Sequence, residues 1–186
     1  MNPLSRSFTT TAQGGLLNVL KNQCGISQAF DPTGGMVHPP VSQFDAIWDT
    51  GATNSCITQA VIDACGLVPV GMAQVHNAQT TTSEEVFLVS IYLPNKVVFP
   101  GVRVTRGRMQ GADILIGMDI INRGDFAVTN VGGITKFSFR VPSEAHIDFV
   151  EDYNRAILKA QSAHDGSKKD RKKRHKTFGR DKHKRK

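Results

Sequence analysis

The chain has 186 residues, 39% of them apolar and 21% charged, and its 23 Lys and Arg outnumber its 16 Asp and Glu for a formal charge of +7. Residues 165–186 hold twelve Lys/Arg against three Asp, so the rest of the chain is slightly acidic and the basic character belongs to its end alone. That composition suits one ordinary domain with a tail. Its apolar runs, a few residues each, and its polar first thirteen residues exclude a membrane span and an ordinary secretion signal. A domain of ~130–150 residues buries about two-thirds of the surface its unfolded chain exposes, so it needs neither metal nor disulfides to hold together. Cys24, Cys56 and Cys65 are odd in number and lack a CxxC spacing. They fit free thiols in a reducing compartment, and the expected location is cytoplasmic.

In chain order, residues 1–13 carry too little apolar material to pack alone and are expected to be an irregular arm, with Phe8 available to dock on a neighbour. From Leu16 to Phe30 short alternating apolar groups, broken at Lys21-Asn22 and Gly25, predict two short strands. Pro and Gly make 31–42 a loop. Phe44–Trp48 is a buried strand that runs directly into Asp49-Thr50-Gly51-Ala52, and the extended pattern resumes over Ser55–Thr58. Residues 58–66 place Ala60, Val61, Ala64 and Cys65 at helical spacing between a Thr and a Gly, which predicts a short helix. From Val75 to Arg106 the β-branched and aromatic density predicts strands, with breaks at TTTS, PN and PG. Ile114–Gly117 is an apolar run of strand length followed by one helical turn. Residues 126–141 form a hairpin around Gly132-Gly133. After Pro142, Ile147, Val150, Tyr153 and Ile157 recur at helical spacing with acids early and Lys159 late, which predicts an amphipathic helix within 143–164. The fold class is therefore all-β and mainly antiparallel, with short helices and a C-terminal helix. The expected boundaries are an arm at 1–13, a domain at 14–142, the helix at 143–164 and a disordered basic tail at 165–186.

The segment Phe44–Ile57 is the most informative, because a hydrophobic strand there delivers a carboxylate into a turn of small residues. Asp-Thr-Gly by itself is also an ordinary turn sequence, since Asp and Gly favour turns for their own backbone reasons. Together with Ile114-Leu115-Ile116-Gly117-Met118-Asp119 some tens of residues later, in an all-β context, it resembles the retropepsin-like aspartic peptidases. Trp-Asp-Thr-Gly-Ala-Thr and a closing hairpin like 124–141 are similar to small bacterial members, and the resemblance spans roughly residues 14–143.

The resemblance implies a retropepsin-like acid protease barrel and an aspartic endopeptidase with Asp49 as the catalytic residue. Two carboxylates sharing one proton can both take a proton from water and give one to the substrate carbonyl, without any cofactor. The chain holds a single Asp-Thr-Gly, so the second carboxylate must come from an identical subunit, which makes a homodimer the expected assembly and a polypeptide the substrate. The resemblance assigns Thr50 to hydrogen bonds that join the two active-site turns, Gly51 to close approach of the water, and Ala52 to the cleft wall. Thr53 and Asn54 stand where relatives contact the substrate backbone, although they differ from the acidic pair of viral members. The substrate-covering hairpin falls near 77–83, with Ala78, Gln79 and Thr80 as candidate contacts, and it lacks the glycines common at that tip.

Asp119 invites reading as a second acid, but a structural role is preferred, with its short side chain capping the helical turn that follows Gly117. Asp45 shares a strand face with Asp49 yet should lie ~13 Å from it, too far for a dyad. The tail suits weak polyanion or nucleic-acid binding, and a plain solubilising extension equally well. The six histidines show no metal-ligand spacing. The rival reading keeps the fold without the turnover: a peptide-binding or scaffold module tethered to RNA or another acidic partner by the tail.

Overall fold

The structure, a computed structural model, describes residues 4–31, 33–35, 37–76 and 80–162. In chain order these form strands β1 (Arg6–Thr11), β2 (Leu20–Gln28), β3 (Ser42–Trp48) and β4 (Cys56–Ile57), helix α1 (Gln59–Cys65), strands β5 (Gly71–His76), β6 (Thr81–Tyr92), β7 (Val98–Arg106) and β8 (Ile114–Ile116), helix α2 (Met118–Ile121), and strands β9 (Asp125–Thr129) and β10 (Lys136–Val141). A further helix covers 149–162. The fold is all-β and mainly antiparallel. The described chain divides into two units, one ending at Ala145 and one beginning at His146. The tail from 165 and the flap-tip residues Ala78 and Gln79 lie outside the described residues.

The larger sheet runs in the order β2-β3-β8-β4-β7-β6-β5. An added pairing of β2 with β6 closes its first six strands into a barrel and leaves β5 outside, as the outer strand of a hairpin with β6. Closure removes two sheet edges and lets inward side chains fill the interior. Ile26, Ile57, Phe87, Val89, Ile91, Val104, Ile114 and Ile116 supply that filling and are fully or almost fully buried. The pairings β3–β8 and β4–β7 are parallel, whereas β4–β8 is antiparallel.

The smaller sheet, β1-β10-β9, differs from expectation at the N-terminus. Residues 6–11 are a regular strand in register with β10 from Arg6↔Val141 to Thr11↔Lys136. Its sequence, RSFTTT, is too polar to announce a strand. What orders it is a ladder to a partner 130 residues away and the placement of Phe8, whose ring meets Trp48, Phe137 and Phe139 at centroid distances of 5.7, 6.1 and 6.3 Å. Phe8 thus docks on its own chain.

Three other expectations are corrected. Residues 20–28 form one continuous strand, because β2 pairs with β3 on one side and β6 on the other and this double ladder carries it through Gly25. Likewise Pro100-Gly101 does not end β7. The ladder runs Val89↔Val102 and resumes at Ile91↔Phe99, so Pro100 and Gly101 together oppose Ser90 as a bulge. A proline has no N–H for the ladder and Gly101 takes φ +64°, and a bulge accommodates both. Thr81-Thr82-Ser83 also belongs to β6, paired with β5, rather than to a break.

The second unit holds the helix at 149–162, which starts about six residues later than the sequence suggests. Asp148 accepts hydrogen bonds from the N–H groups of Val150 and Glu151 and so caps it. Earlier initiation is blocked because the amides of Glu144 and Ala145 donate to Asp125, which also accepts from Arg140 and Ser143. These donors, the Ser143 hydroxyl and the Glu144 amide foremost, hold the Asp125 carboxyl far below the usual carboxylate range.

A carboxylate depressed in the folded state stabilises the fold at pH values above its unfolded value of about 3.9, and the contribution fades as acidity increases below that value. Asp125→Asn should therefore lower the denaturation midpoint at pH 7, and the difference from wild type should shrink as pH falls from 5 toward 2. A midpoint difference that is constant across this range would show that the charge of Asp125 is not what ties the strand end.

Candidate active site

The site is built at the end of the parallel pair β3–β8. Trp48, the last residue of β3, is 4% exposed and is wedged among Phe126, Phe139 and Phe137 at centroid distances of 5.5, 5.0 and 6.1 Å, stacked nearly parallel on Phe126. Its indole N–H donates to Asn22 Oδ1 at 2.8 Å, which satisfies the one polar atom that burial would penalise. The chain leaves this anchor with little freedom. At the next residue the Asp49 N–H donates to Ile116 O at 3.0 Å, extending the β8 ladder by one bond before the turn begins.

The turn is closed by its own first residue. Asp49 Oδ1 accepts the Gly51 N–H at 2.8 Å, and Asp49 O accepts the Ala52 N–H at 3.3 Å. This Asx turn orients the carboxylate by holding Oδ1 on the backbone. Asp49 is half-buried, Gly51 exposed and Ala52 half-buried.

From the opposite side the loop is clamped by the start of α2. Ala52 O and Thr53 O accept the N–H groups of Met118 and Asp119 at 2.8 and 3.1 Å. The fully buried Ser55 hydroxyl donates to Asp119 Oδ1 at 2.8 Å and accepts the Gly117 N–H at 3.1 Å. Asp119 Oδ1 also accepts from its neighbour Ile120 N–H. Asp119 thus has a structural role, bonding the loop through Ser55 and one amide of α2, while the N-cap position of α2 is Gly117, which offers no side-chain cap. Ser55 is the residue that sequence reasoning passed over. A small polar residue between Asn54 and Cys56, where the strand pattern calls for an apolar one, was the available signal.

Gly117 explains the apolar-run-then-glycine pattern. A Cβ at this position would sit 2.7 Å from Asn54 C, 2.8 Å from Asn54 O and 3.0 Å from Ala52 O. Only glycine lets the two segments touch.

A cleft of about 1470 Å³ opens from the turn and is lined by Asp49, Gly51, Ala52, Thr53 and Asn54, by the β5–β6 hairpin and by 105–109 after β7. The sequence-predicted residues Asp49, Gly51, Ala52, Thr53 and Asn54 are therefore together on one wall. Thr50 is turned elsewhere: it lines a smaller recess of about 390 Å³ with Val19, Leu20, Ile47, Phe126 and Val128, and Asp49 borders both spaces. Thr80 is exposed just before β6. Asp45 bonds Gln23 on β2 and is not among the cleft residues.

Cys56 also lines the cleft. Burial first, and the charges of Asp119 and Asp49 second, push its thiol up to about 11. It is a neutral thiol at ordinary pH and hence a poor nucleophile. Among the described residues no three or more His, Cys, Asp or Glu side chains converge as a metal set.

Adding one methyl group at Gly117 should force the 52–54 loop off α2 and destabilise the domain by about 1–3 kcal/mol. Asp119→Ala should also destabilise, because it strands the buried Ser55 hydroxyl without its acceptor. Urea denaturation reads both. A Gly117→Ala protein as stable as wild type would contradict the close approach.

No curated protein matches the chain significantly. Among solved structures the chain is similar to a retropepsin-like aspartic protease from Rickettsia conorii, at 11% identity and a TM-score of 0.43 over 74% of this chain and 96% of that one. It is also similar to the protease of simian foamy virus (mac), at 15% identity and a TM-score of 0.37 over 55% and 92%. Residues 41–123, which run from β3 through the Asp49 turn, the β5–β6 hairpin and Gly117 to the end of α2, match the family profile described as gag-polyprotein putative aspartyl protease. That segment contains both halves of the clamped turn, so the profile match falls on the residues that build this site.

Proposed function

We propose that the protein is an aspartic endopeptidase that works as a homodimer, with Asp49 of each subunit facing the other across a two-fold axis. The observation that carries this reading is the position of Asp49 on the border between an open cleft and a second, smaller recess. The cleft suits an extended polypeptide. Among the lining residues of the recess, Val19 and Val128 are exposed apolar side chains, which suit contact with a protein partner. A second copy seated there would bring its own Asp49 toward the first and would cover Thr50.

The chemistry then follows from one proton shared by two carboxyl groups. The ionised carboxylate takes a proton from water as the water oxygen bonds to the scissile carbonyl carbon, while the protonated partner gives its proton to the carbonyl oxygen. The tetrahedral species collapses with cleavage of the C–N bond: the leaving nitrogen takes a proton from the protonated carboxyl, and one hydroxyl of the tetrahedral carbon returns its proton to the other carboxylate as the C=O re-forms, so the pair again holds one proton. No step needs a metal or cofactor. Gly51 keeps the turn low enough for water and substrate to reach the pair, and Ala52, Thr53 and Asn54 form the adjoining wall. By resemblance, Ala78, Gln79 and Thr80 would cover the substrate.

Asp49→Asn should lower kcat on a cleavable peptide by at least about 10²-fold while leaving the unfolding transition and the dimer nearly intact, because it removes charge and proton without changing shape. Turnover near that of wild type would defeat the assignment. On dilution through the dimer dissociation range, activity should fall faster than enzyme concentration, as checked by light scattering on the same samples. The pair works only with one proton, so the rate should rise and then fall with pH; a rate that climbs steadily to high pH would point to other chemistry.

A further inference from the structure

Besides the Cys56 thiol, six charged or titratable side chains line the cleft that holds Asp49: Asp49 itself, His76, Glu84, Arg106, Arg108 and Asp113. Most are already engaged. Arg106 pairs with Glu84 at 3.6 Å and with Glu85 at 2.9 Å. Asp113 accepts a hydrogen bond from the Thr58 hydroxyl at 3.1 Å, and His76 Nδ1 lies 2.9 Å from the Thr81 hydroxyl. Arg108 is the exception. It is exposed, it follows the end of β7 beside Gly107, and among the described residues no carboxylate lies within ion-pairing distance of it.

A guanidinium on the wall of a groove, with its neighbours' charges already matched, is an open position for a carboxylate. Its five N–H donors fit the two oxygens of an acidic side chain in a fork that ammonium or amide groups do not reproduce. Arg106 cannot play this part without giving up Glu84 and Glu85. We propose that Arg108 makes the cleft selective for polypeptides that carry an Asp or Glu side chain near the scissile bond, by pairing with that carboxylate. This rests on the peptidase reading above and adds a substrate class to it.

The test uses the full-length protein and matched fluorogenic peptides in which Glu, Gln or Lys is moved through the positions flanking the cleaved bond. Wild type should prefer Glu over Gln at one position by about three- to ten-fold in kcat/KM, with the preference shrinking as salt is raised. Arg108→Gln should bring that ratio to about one, and Arg108→Glu should favour Lys at the same position. Equal cleavage of the Glu and Gln peptides at every position by wild type, or a Glu preference that survives in Arg108→Gln, overturns the inference while leaving the peptidase reading in place. If wild type cleaves nothing, the peptidase reading falls and the same peptides are assayed for binding by fluorescence anisotropy. Tighter binding of the Glu peptides that Arg108→Gln abolishes would uphold acid recognition, and equal affinities would reject it.

Discussion

The contact between Gly117 and the backbone of Ala52 and Asn54 is the constraint on which the rest of the site depends. Two segments more than sixty residues apart in sequence meet there at a separation that leaves no room for a Cβ. The approach lets α2 donate two backbone N–H groups into the loop and lets Ser55 bridge Asp119 to the Gly117 amide. Every bond in this set is short-range and directional, so a shift of one segment by a few tenths of an ångström would weaken several at once. The geometry of the Asp49 turn is thus set from below by polar groups that never reach the cleft.

The turn is held from the other side by apolar packing. Trp48 sits in a cluster of five aromatic rings contributed by β1, β3, β9 and β10, so the residue before Asp49 is tied to the smaller sheet and Asp49 itself to the barrel. Aromatic clusters of this kind combine large buried area with orientation preferences. The order of β1 comes from this arrangement as well. Its sequence has little tendency to form a strand in isolation, and both Phe8 burial and the β10 ladder exist only once the hairpin at 125–141 is in place.

Charge is distributed in a way that separates structure from recognition. Asp125 is saturated with donors at the end of β10, and Asp119 is committed to Ser55. Arg106 is neutralised by two glutamates on β6. These groups hold strands together. Asp49 and Arg108 line the same cleft, Arg108 without a carboxylate partner among the described residues.

Much of this was legible in the amino-acid sequence because it rests on local rules. Alternation of apolar residues marked β3, β6 and β10, and Thr58 with Gly66 bounded α1. The Asp-Thr-Gly-Ala turn and the Ile-Leu-Ile-Gly run identified the two segments that meet at the site. What the sequence could not reveal was whatever depends on a partner distant in the chain. Residues 6–11 form a strand because β10 offers a ladder, residues 20–28 stay continuous because two strands flank them, and Pro100-Gly101 becomes a bulge because β6 continues past it. The helix after Pro142 starts late because Asp125 claims the amides that would have opened it. The sequence by itself determined which residue types stand at the turn and which segments extend. Only the tertiary structure decided that Asp119 bonds Ser55, that Gly117 must lack a side chain, and that Thr50 lines the recess only while Asp49 borders both spaces, since each of these is a distance between segments that local propensity does not contain.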